Sequence, residues 1–168
     1  MINEAKNTFE NEKVSFQVLK MEDLSTLQEQ FDVIISSLAI HYVADFDKLC
    51  KDVYRLLPKE GYFIFSQEHP IGTGTILNEE CQKEDKTKIG DKEYYLVSNY
   101  NENVDWNDCK VVKYHRNFSY LINTILLNQF KIVEFREPTP SEELLKIKPK
   151  LKNQFDKPYF LFVSLKKE

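Results

Sequence analysis

Apolar and polar positions change their period near the centre of this chain and mark out a β-α-β unit. Residues 31–35 (FDVII) form a short apolar run suited to a buried strand covered on both faces. After a short polar turn, Phe46, Leu49, Cys50, Val53, Tyr54 and Leu57 recur at helical spacing behind Asp45, a good residue to cap the first turn. Pro58 and Gly61 break that helix, and residues 62–65 (YFIF) supply the next buried strand. Open α/β sheets bind ligands beyond the carboxyl ends of their strands, so the residues after Ile35 and Phe65 become candidates for chemistry.

The flanks read less regularly. Residues 1–10 form a polar helical segment, and residues 14–19 (VSFQVL) alternate like a strand. After Ser66 the pattern lapses: Pro70, Gly72 and Gly74 mark a loop, and residues 78–91 are polar, without helical or strand period, as in an exposed insertion. Residues 93–98 and 110–114 read as an antiparallel pair outside the main sheet. Ser119 can cap a helix reaching about Gln129, residues 131–135 and 158–165 are strands, and the long link between them holds a short helix from Ser141. The expected fold class is α/β, with one domain over residues 1–168 and a substrate-side insertion at 71–116.

Composition narrows the functional classes. The net charge of −4, with lysines and acids interleaved, offers no basic face, so nucleic acid is not an expected partner. No apolar run approaches the roughly 20 residues that span a membrane, and no signal peptide opens the sequence. Cys50, Cys81 and Cys109 stand in no metal-ligand pattern and read as reduced thiols of a cytoplasmic protein.

The run FDVIISSLAIHY, the helix and break DFDKLCKDVYRLLPKEG, and FIFSQEHP together resemble the central part of a class I S-adenosylmethionine-dependent methyltransferase of the type 11 kind. That resemblance implies a Rossmann-like sheet, mostly parallel with its last strand antiparallel, in the strand order 3-2-1-4-5-7-6. It implies S-adenosyl-L-methionine as cofactor and a small-molecule methyl acceptor. The glycines are Gly61, Gly72, Gly74 and Gly90, so no glycine-rich cofactor turn precedes residue 61. The chain is therefore expected to be N-terminally incomplete (truncated) relative to the family, with little or no activity alone. Residues 14–19 then lack a bonded neighbour and the strand near residue 35 has an open edge. Three outcomes are open: re-docking of the first strand beside it, homodimerisation through that edge, or an N-terminal region without fixed structure.

By the same resemblance, Met21, Glu22 and Asp23 belong at the adenine end of the cofactor, and Ser36, Ser37 and Leu38 at its methionine and ribose portion. His41 would face the reacting methyl group. His69, with Glu68 to orient it, is the stronger general-base candidate, because an imidazole titrates near neutrality. Arg116 could clamp an acidic group, with Tyr114 and His115 beside it and Tyr100 and Trp106 as an apolar wall. Each also has a structural reading: a solvated acidic turn, a strand-end serine pair, a strand-end carboxylate–histidine pair, an ion-paired arginine. The rival functional class is a degenerate, non-catalytic methyltransferase-like module that associates through the exposed strand edge.

Overall fold

The computed structural model describes residues 2–74, 86–97, 100–101, 105–108 and 111–168. A short helix α1 (Ile2–Phe9) opens the chain with no buried residue, and a 3-10 turn follows at Met21–Thr26. The central unit is strand β1 (Val33–Ser37), helix α2 (Phe46–Leu56) and strand β2 (Tyr62–Glu68). Asp45 caps α2 as expected, its carboxylate accepting the Lys48 N–H at 2.8 Å. Next come a one-turn helix α3 (Pro70–Thr73), the strands β3 (Lys86–Ile89), β4 (Lys92–Tyr95), β5 (Asp105–Asp108) and β6 (Val111–Tyr114), and helix α4 (Phe118–Leu127). Strand β7 (Phe130–Arg136), helix α5 (Glu142–Ile147), a 3-10 turn at Pro149–Phe155 and strand β8 (Phe160–Lys167) complete it.

The main sheet has the order β1-β2-β8-β7. β1 and β2 are parallel, and β8 is antiparallel to both of its neighbours, so three strands point one way and the last returns between two of them. This is the 4-5-7-6 part of the expected order. The alternating side chains Phe63, Phe65, Leu161, Val163 and Leu165 face Phe46, Leu49, Cys50 and Val53 of α2 and Leu121 and Ile125 of α4. All are essentially inaccessible, and each fully buried large apolar side chain contributes about 1.5–3 kcal/mol.

Several sequence expectations meet corrections. Residues 31–35 do not form a strand covered on both faces: the strand is Val33–Ser37, with Val33 49% and Ile35 71% exposed. Burial alternates along β1: Ile34 packs against the core and Ser36 is half-buried, while Val33, Ile35 and Ser37 are exposed. Residues 14–19 are not a strand. An isolated bridge joins Asn11 to Val14 and residues 15–20 run without regular structure, because alternation makes a strand only where a neighbour completes the ladder. Inserted antiparallel strands do stand outside the main sheet, but as two hairpins. Residues 93–95 pair with β3 instead of β6, through a two-residue turn in which Gly90 adopts φ 62°. The cap of α4 is Asn117, not Ser119; its side chain accepts the Tyr120 N–H at 2.8 Å.

Candidate functional site

The carboxyl ends of β1, β2 and β7 share one rim with the start of β8, since Glu68 pairs with Phe160 and Arg136 with Phe162. At this rim the chain leaves β1 through Leu38, whose φ of 49° lies in the left-handed region, uncommon for a non-glycine side chain. The Leu38 N–H donates to both the carbonyl oxygen (3.0 Å) and the hydroxyl (3.1 Å) of Ser66, which locks the two strand ends together. Ser36 is half-buried and Ser37 exposed beside this turn.

His41 follows in a 3-10 turn, Ile40–Tyr42, and is 4% exposed. Its Nδ1 accepts the Glu68 N–H at 3.4 Å, which leaves the proton on Nε2, 4.0 Å from Glu68 Oε1. Glu68 Oε1 also accepts from Lys113 Nζ at 2.7 Å. Burial lowers the His41 pKa, the Glu68 charge partly offsets that, and Lys113 and Arg116 reinforce it. The imidazole is accordingly held neutral between a carboxylate and two cations.

His69, at 0% exposure, has both ring nitrogens engaged. Nδ1 accepts the Ile71 N–H at 3.1 Å and caps α3, so Nε2 carries the proton and faces Glu137 Oε1 at 2.8 Å. Its pKa is lowered by burial, with Glu137 opposing. His115 is bonded on both sides as well: Thr73 donates to Nδ1 at 2.6 Å and Nε2 donates to the Tyr100 carbonyl at 3.1 Å. Burial again lowers its pKa.

Arg116 is 5% exposed and donates to the carbonyl oxygens of Ile40 (3.4 Å), Val43 and Ala44 (3.1 Å). Its guanidinium lies over Phe46 at 5.4 Å and over Tyr114 at 5.8 Å. In this conformation the guanidinium therefore holds the segment after His41. Met21 packs on the core, while Glu22 and Asp23 are exposed on a turn tied to α2 by Lys48, which donates to the Glu22 carbonyl at 2.7 Å. The Trp106 side chain lies outside the described residues.

The structure thus gathers His41 and Glu68 at one place, with Arg116 behind them, and sets His69 and His115 around α3. Sequence reading missed Lys113, Glu137, Thr73 and Ser66. Lys113 alone gave a signal: a lysine within the run VVKY, which is otherwise apolar, and it is 7% exposed. For the cofactor, the exposed Ser37 hydroxyl and the Leu38 turn suit one wall around a zwitterionic amino acid and a ribose. No glycine precedes residue 61 to allow close backbone approach on a facing wall.

Comparison with known proteins agrees with this geometry. The methyltransferase domain family matches residues 1–65. An S-adenosylmethionine-dependent methyltransferase from Mesorhizobium loti is 26% identical, with 99% of this chain and 76% of that chain aligned and a TM-score of 0.86. A structure from Listeria monocytogenes assigned to the same class is 30% identical over 100% of this chain and 76% of that chain, at a TM-score of 0.78. An uncharacterized protein of Haemophilus influenzae is 33% identical over 164 residues. That match takes in 92% of this chain and 61% of the relative, so the chain spans about three fifths of the length of this curated relative. The chain belongs to the S-adenosylmethionine-dependent methyltransferase family and has its α/β fold.

Proposed function

We propose that this chain supports S-adenosylmethionine-dependent methyl transfer to a small molecule bound at the carboxyl rim of the sheet, in the cytoplasm. The observation that carries this reading is the strand-end lock at Leu38 and Ser66, which sets Ser37, His41 and Glu68 on one rim. S-adenosylmethionine supplies a methyl group already activated by its sulfonium. The protein's part is to bind, orient and exclude water. Ser36, Ser37 and Leu38 would hold its methionine and ribose portion. Binding by this chain alone is weak, because the Ser37–Leu38 turn forms one wall and no glycine-rich turn stands opposite. Titration calorimetry with S-adenosylhomocysteine should give saturable heat with Kd above about 100 μM. A low-micromolar Kd would overturn the weakness, and no heat at millimolar ligand would overturn cofactor binding by this chain.

A second reading, a non-catalytic module that self-associates, draws support from the open edge of β1. Among the described residues β1 pairs with β2 alone, and Val33 and Ile35 are exposed along it.

A further inference from the structure

Among the described residues, the rim holds one buried polar side-chain atom without a hydrogen-bond partner. Glu68 Oε2 is buried and has no hydrogen-bond donor, whereas Oε1 of the same carboxylate takes the Lys113 ammonium at 2.7 Å. Among the described residues only one other buried side-chain atom, Asn153 Oδ1, is in this condition, and it lies on the 3-10 turn before β8. Around Glu68 no described side chain reaches Oε2, and the nearest ring donor, the His41 Nε2–H, lies 4.0 Å from Oε1, beyond hydrogen-bond distance. The His41 ring takes the Glu68 N–H, and Arg116 holds the carbonyls of the turn that carries His41. A carboxylate oxygen left unpaired in a low-dielectric site costs more than any neutral group would, so its persistence calls for a donor.

We propose that Glu68 Oε2 receives an N–H or O–H donor of the methyl acceptor, and that the acceptor is a small neutral alcohol, phenol or amine, not a carboxylic acid. The proposal rests on reading this rim as the methyl-transfer face. Three features select that class. Glu68 is the last residue of β2, two positions beyond the serine that locks Leu38, so its carboxylate is at the rim. Lys113 already neutralises the charge of Glu68, so a cationic ligand gains little net attraction and an anionic one would set its charge against an unshared lone pair. His41 is held neutral by burial and adds no countercharge.

Ligand-observed saturation-transfer NMR on the 168-residue chain tests this with phenol and aniline, their methylated forms anisole and N,N-dimethylaniline, and benzoate. At least one of phenol and aniline should bind about tenfold or more tightly than its methylated form and than benzoate. That preference should disappear in Glu68→Ala. Glu68→Gln, which keeps the shape and one acceptor, should retain part of it and guards against a folding defect, monitored by near-ultraviolet circular dichroism. Methylated forms that bind as well as the donors, binding unchanged in Glu68→Ala, or no binding of either donor at 10 mM (about the limit of specific fragment affinity) would each overturn the proposal. S-adenosylhomocysteine calorimetry separates the two levels. Cofactor binding without donor preference sinks the Glu68 assignment and leaves the methyl-transfer reading. Glu68-dependent donor binding without cofactor binding does the reverse.

Discussion

Arg116 donates to the carbonyl oxygen of Val43, 73 residues earlier in the chain. The bond joins the end of the inserted hairpins to the turn that leaves β1, and so fixes the backbone around His41. Three carbonyls on that turn depend on one guanidinium whose charge is desolvated, with the Phe46 and Tyr114 rings beside it. Breaking a buried charged hydrogen-bond set is among the costlier single changes, because the acceptors left behind stay buried.

Arg116→Ala should therefore lower stability by about 3 kcal/mol, and Arg116→Lys by somewhat less, since an ammonium keeps the charge but cannot span three acceptors in a plane. Urea unfolding followed by circular dichroism measures both. A loss below about 1 kcal/mol for the alanine variant would show that the turn is held by other contacts.

His41, His69 and His115 all have pKa values lowered by burial from the ordinary 6.5. The folded state binds fewer protons at these sites than the unfolded chain. Their contribution to stability is complete above about pH 6.5 and is lost as pH falls below it toward their folded values. Thermal midpoints should be flat from about pH 7 to 8 and decline below about pH 6.5, ahead of the region where carboxylates titrate. His115→Gln should reduce the slope between about pH 6.5 and 5. An unaltered slope would mean that this imidazole takes up its proton without opposing the fold.

Helix α2 was legible because Phe46, Leu49, Cys50 and Val53 each bury against the sheet and one period serves them all. The strand order was legible through the resemblance, and β2 and β8 through their apolar runs. Partner choice was not. Residues 93–95 have the same local pattern whether they pair with β3 or with β6, and the short turn at Gly90 decides it. Residues 14–19 alternate convincingly, yet a ladder needs a neighbour that no local pattern reveals. The site shows the same limit. Glu68, His41, His69 and Arg116 could be singled out from their places after strands, whereas Lys113 and Glu137 acquire meaning only through contacts spanning 45 and 68 residues.

Cys50 is 0% exposed on the inner face of α2, and its thiol is pushed up to about 12, first by burial and then by the Asp47 charge. The thiolate is the reactive species, so Cys50 should resist alkylation in the folded protein. Iodoacetamide at pH 8 followed by peptide mass mapping should leave the Cys50 peptide unmodified for hours and label it fully in 6 M guanidinium chloride, a strength that unfolds most domains (roughly twice as effective as urea). Rapid labelling under native conditions would show that α2 opens locally from the sheet.

The open edge of β1 makes the last prediction. Val33, Ile34, Ile35, Ser36 and Ser37 carry no charge, and β1 has none of the lysines or prolines with which natural edges discourage pairing. A second copy could pair antiparallel about Ile35, with Val33 facing Ser37 and no like charges meeting. Light scattering should then show mass rising with concentration in the native chain. Ile35→Lys, at a position 71% exposed, should abolish the rise while changing stability by less than about 0.5 kcal/mol. Pure monomer at millimolar concentration would remove self-association, and the non-catalytic reading would lose the feature that supports it. Association that survives the lysine would place the contact elsewhere, with the exposed Phe162 on the open face of β8 as the next position to change.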